Sequence, residues 1–308
     1  MNPTPSGAPE AGQRESGGHS IAREAYWREV WEAYRTALCR EFPALLDRVL
    51  AGVRCDSRPG EVVLWQVYNA GWVLRAAGSV VGMDLALLDE LAVDDQHRLE
   101  FFGSLDLLLV SHQHADHCCA SDLRVLAELG EPPVACHPDT AEKLYRGGVP
   151  EKQVVELEVG QAVTVAGVRV RALPAEHFQA QIPHCIAPAF EVDDVTVVHA
   201  GDNRLFEPPA LRGAEGCDIL IHCIYAYDET QAREGELTWS SQLLEAQARF
   251  LAKLSPRAVL LAHVAEVRHP YEKLWRYMHA GLLKERLFSL APEVECPILG
   301  PGERYVYR

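Results

Sequence analysis

Ser111-His112-Gln113-His114-Ala115-Asp116-His117 is the stretch that decides how the chain reads, and the run before it, Leu105 to Val110 (LDLLLV), supplies the context. A short apolar run of this kind predicts a buried strand. The stretch that follows sets three imidazoles and one carboxylate at the strand's C-terminal end. Packing does not account for them, because each such group needs a partner once it leaves water. A divalent cation satisfies them together, so His-x-His-x-Asp-His predicts a metal site with His112, His114, Asp116 and His117 as ligands. Cys118 and Cys119 come next and read as small buried apolar residues, because thiolates would exceed the ligands already present. A helix is expected from Ser121 to Leu129, capped by Ser121 or Asp122.

Upstream, residues 1–20 are rich in Pro, Gly, Ser and Glu and read as a disordered tail. Residues 21–58 form a helical arm in this reading. Trp27, Val30, Trp31, Tyr34 and Leu38 share one helical face, and Pro43 predicts a break into two helices. That aromatic face is expected to dock on its own domain, with an oligomer contact or a substrate lid as alternatives. The main domain is placed at 59–308. It opens with strands at Val62–Gln66, Gly71–Arg75 and Ser79–Asp84, an antiparallel meander. Asp84 ends the third strand, where it either orients metal ligands or caps a turn.

Downstream, the spacing predicts a strand at Pro133–Cys136, a helix at Thr140–Tyr145, and hairpins at Ala162–Leu173 and Ala187–His199. Asp218–His222 and Ala258–Ala262 read as buried strands, Trp239–Leu254 and Tyr271–Leu290 as helices, and Arg304–Tyr307 as a last strand. His177, Asp202 and His263 each follow closely on a strand or hairpin, as the His112–His117 cluster does. Ligands at the same ends of several strands converge in layered α/β folds. His199 reads as a packing residue, and His137, His184 and His269 as structural histidines, with a place in the pocket as the alternative. Leu299-Gly300-Pro301-Gly302 reads as a turn, not a phosphate cradle.

The chain carries 29 basic and 44 acidic residues, a formal charge of −15, which argues against nucleic acid as the default partner. No apolar run approaches the ~20 residues that span a bilayer, and the first twenty residues lack a secretory apolar core. The nine cysteines show no disulfide-like spacing. A cytoplasmic protein without structural disulfides is expected.

His112, His114, Asp116 and His117, then His177, then Gly201-Asp202, then His263, together resemble the metallo-β-lactamase superfamily from about residue 60 to about residue 290. Within it the chain resembles the L-ascorbate-6-phosphate lactonase branch, through its N-terminal helical arm, Val73-Leu74 leading to the Asp84 strand, the SHQHADH stretch, Gly148-Val149-Pro150, Ala200-Gly201-Asp202 and a helix after His263. The resemblance implies an αββα sandwich with two divalent metal ions, one held by His112, His114 and His177, the other by Asp116, His117 and His263, with Asp202 bridging. Zinc is preferred for such ligands, with manganese or iron as alternatives. The implied reaction is hydrolysis of a small ester, lactone or phosphate ester by a hydroxide bridging the metals.

Asp116 and His222 are the candidate catalytic residues. His222 ends the DILIH run and reads as a proton donor or substrate contact, or else as a structural hydrogen-bonding residue. The ribonuclease Z branch has a glutamate motif where Cys223 follows here, and a histidine where Gly235-Glu236-Leu237-Thr238-Trp239 has none. Both departures weigh against tRNA processing. The alternatives to a small-molecule hydrolase are a nuclease or phosphodiesterase of the same fold, a redox di-iron protein, and a non-catalytic metal-binding protein. The di-iron branch has a glutamate in place of His114 and an added flavin domain.

Overall fold

The computed structural model describes residues 17–55, 58, 60–76, 78–177, 185–228, 238–264, 267 and 276–308. The first half of the chain runs α1 (Gly17–Arg54), β1 (Val62–Tyr68), β2 (Gly71–Ala76), β3 (Ser79–Met83), α2 (Asp95–Phe102), β4 (Leu107–Val110), α3 (Ala120–Leu129), β5 (Val134–Cys136), α4 (Pro138–Arg146) and β6 (Val154–Glu156). The second half runs β7 (Ala162–Val165), β8 (Val168–Ala175), β9 (Cys185–Val192), β10 (Val195–His199), β11 (Ile219–Cys223), β12 (Tyr227–Asp228), β13 (Thr238–Trp239), α5 (Ser241–Leu254), β14 (Ala258–Ala262), α6 (Arg276–Leu290) and β15 (Arg304–Tyr307).

Two large sheets result, ordered β15-β1-β2-β3-β4-β5-β6 and β14-β11-β10-β9-β8-β7, and β12 pairs with β13 as a separate two-stranded sheet. Each large sheet joins an antiparallel part to a parallel part. The expected meander pairs β1, β2 and β3, and β4 to β6 continue it in parallel. In the second sheet β7 to β10 are antiparallel, and β11 and β14 add in parallel.

Alternation along the strands divides the apolar residues into three cores, because successive side chains leave opposite faces of a sheet. Leu64, Trp72, Leu107 and Leu109 meet Val170, Ile219, Ile221 and Leu260 between the sheets. Val63, Trp65, Leu108 and Val110 face Phe42, Leu46, Phe101, Leu126 and Leu144, from α1 to α4. Leu220, Val259 and Leu261 face Leu244, Leu251, Leu283 and Leu287 of α5 and α6. The order is therefore helix, sheet, sheet, helix, the expected αββα sandwich.

Several local expectations change. Helix α1 continues through Pro43 instead of breaking there. Phe42, Leu45, Leu46, Val49, Leu50 and Val53 are all buried, and their docking on the sheet outweighs one lost backbone hydrogen bond. On the expected aromatic face Trp31 is buried and stacks on Tyr34 with ring centroids 5.6 Å apart, whereas Val30 is exposed. The Trp27 side chain, the tail up to residue 16, His184 and His269 lie outside the described residues. Cys119, not Ser121 or Asp122, is the N-cap of α3. The Asp122 carboxylate is engaged instead by Leu87 N (2.8 Å), Arg98 Nε (3.1 Å) and Cys119 Sγ (2.8 Å). Trp239 lies in β13, and α5 begins at Ser241 behind the Ser240 cap. Helix α2 is an addition to the sequence reading, and β6 is the strand that follows Gly148-Val149-Pro150. None of the cysteines forms a disulfide, and no described helix is long and apolar enough to cross a membrane.

Candidate metal centre

All seven ligand candidates lie just beyond strands, and the sandwich brings them to one place. His112 to His117 follow β4, where the N–H groups of His117 and Cys118 both donate to the His114 carbonyl (3.1 and 2.8 Å), closing a tight turn. Lys143 of α4 fastens that turn by donating to the carbonyls of Gln113 (2.7 Å) and Cys118. His177 follows β8, Asp202 follows β10 and His263 follows β14. Gly201 allows Asp202 to reach the cluster. Its φ is +53°, and a Cβ there would stand 2.8 Å from the Ser111 Cβ. His263 holds a left-handed φ of 57° without being glycine, a conformation that costs energy and persists where the surrounding structure over-determines it. Its N–H donates to the Asn69 carbonyl (3.2 Å).

Two groups of donors form. His114 Nδ1 faces His112 Nε2 at 2.8 Å and His177 Nε2 at 3.1 Å. His263 Nε2 faces His117 Nε2 at 3.3 Å, and the two stand 3.9 and 3.5 Å from Asp116 Oδ2. Asp202 lies between the groups. Its Oδ2 is 3.4 Å from His177, and its Oδ1 is 3.2 Å from His117 and 3.0 Å from His263.

The surroundings fix which nitrogens face inward. Asp84 accepts from Ser111 N (2.7 Å), Ser111 Oγ (2.6 Å) and His117 Nδ1 (2.8 Å). Since the Ser111 hydroxyl donates to Asp84, it accepts from His112 Nδ1 at 3.0 Å. His112 and His117 therefore both turn Nε2 toward the centre, the usual arrangement of a metal-binding imidazole with an outer partner. Of the two roles considered for Asp84, the geometry selects the orienting one. His199 packs beneath, with Nε2 2.9 Å from the Ala70 carbonyl and Nδ1 accepting from Gly201 N at 3.0 Å.

Electrostatics agree with a cation-binding role. Burial pushes His112 well below the ordinary histidine range, and burial also takes His177 down to about 4, so both are neutral donors. Burial opposes charge on His117 too, yet Asp116, Asp84 and Asp202 together raise it well above the ordinary value. Burial would raise Asp202, but His263 and His117 hold it well below the usual carboxylate range. The facing imidazole nitrogens and the carboxylates of Asp116 and Asp202 form a donor set that fits divalent cations.

His222 does not join the cluster. Alternation in β11 turns Ile221 and Cys223 toward the other sheet and His222 toward α5. There His222 is fully buried, with Nε2 3.3 Å from Gln247 Oε1 and the ring 5.9 Å from Phe206. This placement corrects the proton-donor reading in favour of the structural one. Its neighbour takes the position instead, Cys223 Sγ lying 3.3 Å from Asp202 Oδ1. Asn69, in the turn between β1 and β2, is a further contact of the site, its Nδ2 reaching Asp116 Oδ2 at 3.4 Å. A turn asparagine carries no sequence signal that separates the two roles. His137 caps α4 by accepting from Asp139 N at 3.2 Å, a structural role.

Comparison with known proteins agrees with the architecture. The family described as the beta-lactamase superfamily domain matches residues 76–264. The UPF0173 protein PF0020 of Pyrococcus furiosus is 30% identical over 149 residues, which take in 48% of this chain and 65% of that protein. Among solved structures, Igni18 from Ignicoccus hospitalis, described as a novel metallo hydrolase, superposes with a TM-score of 0.57 at 17% identity, covering 80% of this chain and 99% of its own. The metallo-β-lactamase fold protein YhfI from Bacillus subtilis gives 0.56 at 15% identity, covering 80% and 100%. With six in ten of its residues inside the matched region and the two-sheet architecture in agreement, the chain belongs to the beta-lactamase superfamily.

Proposed function

We propose that this protein is a metal-dependent hydrolase of a small ester, lactone or phosphate ester, working through a two-cation centre. The observation that carries the reading is Asp202, whose two carboxylate oxygens each face one of two separate imidazole groups. When bound, a pair of divalent cations acidifies water and stabilises negative charge on the substrate. His112, His114 and His177 would hold one cation, and Asp116, His117 and His263 the other. Imidazoles dominate the set, which favours zinc over manganese or iron.

The chain's own residues supply orientation. Asp84 and Ser111 fix the rings of His117 and His112, and Asn69 steadies Asp116. The Asp116 side chain keeps 19% exposure, against 0 to 8% for His117, His177, Asp202 and His263. It is thus the carboxylate placed to take a proton from an incoming water. Lactones lead among the substrates, on the likeness of the helical arm and the Ala200-Gly201-Asp202 turn to ascorbate-6-phosphate lactonases. The acidic chain offers long RNA no evident track.

The test is a panel of lactones, carboxylic esters, phosphomonoesters, phosphodiesters and RNA, assayed with native protein and with His114→Ala. Hydrolysis of a small member, lost with His114→Ala, is the expected result. Efficient, salt-sensitive cleavage of RNA would replace this reading with the nuclease one, and turnover surviving in His114→Ala would remove the metal mechanism.

A further inference from the structure

At the end of β1 away from the metal centre, a cavity of about 270 Å³ opens between the end of α1 and the β15-β1-β2 edge of the first sheet. Among the described residues four arginines line it, Arg58, Arg75, Arg304 and Arg308, against a single side-chain carboxylate, Glu61. That positive excess is unexpected in a chain of formal charge −15. It arises from strand pairing. Arg304, Val306 and Arg308 alternate onto one face of β15, and that strand pairs with β1 so that Arg304 stands opposite Trp65 and Val306 opposite Val63. Arg75 of β2 stands opposite Val63 on the other side.

Only part of this charge has a structural use. Arg75 is 7% exposed, donates through Nη1 to the carbonyls of Gly52 (2.6 Å) and Cys55, and lies over the Trp65 ring at 5.5 Å. It thereby caps the end of α1. Its Nε is nevertheless buried without an acceptor, and such donors are rare because leaving one unmade is costly. Arg308 reaches Glu61 through Nη2 at 3.2 Å. Among the described residues Arg58 and Arg304 have no ion pair.

We propose that this cavity binds a small phosphate-type oxyanion. Guanidinium groups present planar forks that match phosphate oxygens, and all four cations here are arginine rather than lysine. The volume suits a pyrophosphate-sized group and lies just below the usual range for drug-sized ligands. Six residues of strand, about 20 Å, separate Val63 from Asn69 at the metal centre, so an anion held here takes no part in the reaction there.

Pyrophosphate is the probe, titrated calorimetrically into the full-length chain after chelator treatment, so that no metal at the other site captures it. One saturable site per chain is expected, weakening as salt is added. Arg58→Gln combined with Arg304→Gln should weaken it about tenfold or more, the loss of at least one charged hydrogen bond. Arg304→Lys should retain more affinity than Arg304→Gln, since it keeps the charge and loses the fork. No saturable binding, or equal affinity in the double variant, would overturn the proposal. Affinity for RNA that grows with its length and exceeds that for pyrophosphate would overturn it in favour of a nucleic-acid track.

Discussion

Ser111 Oγ carries one hydrogen, and its donation to Asp84 determines how His112 is presented, while Asp84 itself orients His117. Asp84→Asn should keep the fold but misdirect His117, because an amide nitrogen would oppose the His117 Nδ1 proton. Metal affinity is then expected to drop about 10- to 100-fold, the usual effect of losing such an outer partner. Chelator competition alongside circular dichroism measures it, and undiminished affinity would show that Asp84 does not orient the ring.

His222 gives a second prediction at this scale. Burial takes its pKa down to about 4, so between the ordinary value near 6.5 and about 4 the folded protein binds fewer protons than the unfolded chain. Its stability contribution is therefore whole above about 6.5 and is lost as pH falls toward about 4. Between about pH 7 and 5 that loss is about 2 kcal/mol. Denaturant titrations of His222→Asn should show a shallower acid dependence by that amount, with metal content unchanged. Loss of metal would return His222 to the site. The pairing of His222 with Cys223 also shows what a single residue hides in sequence. Both sit in one apolar run, and only the sheet pairing of β11 decides which of them turns toward Asp202.

Among the elements, the strands were the most legible, because β4 and β14 are short apolar runs that end directly before candidate ligands. Helix α2 was not, since its buried Arg98, Phe101 and Phe102 form too short a pattern to stand out. Helix α1 was read correctly at Trp31, Tyr34 and Leu38 and incorrectly at Val30 and Pro43. Phe42 and Leu45 on either side are buried while Pro43 is only half-buried, so the carbonyl it leaves without a donor belongs to the part-exposed Cys39. Pro43→Ala restores that donor and should stabilise the protein, by up to about 3 kcal/mol. Denaturant midpoints measure this, and a destabilised variant would mean that α1 needs the proline's geometry.

At the scale of the molecule, the seven candidate ligands were legible because metal chemistry restricts residue type, whereas their support was not. Asn69, Lys143 and Cys223 act through contacts across 47, 30 and 21 residues of chain. The αββα arrangement draws four strand ends into one centre, and Asp202 joins its two halves. Metal analysis of chain purified without chelator, native against Asp202→Ala, tests that claim most directly. The account predicts close to two divalent cations per native chain and a clear fall in occupancy, with loss of turnover, in Asp202→Ala. One tightly held cation in the native protein, with unimpaired turnover in the variant, would contradict it.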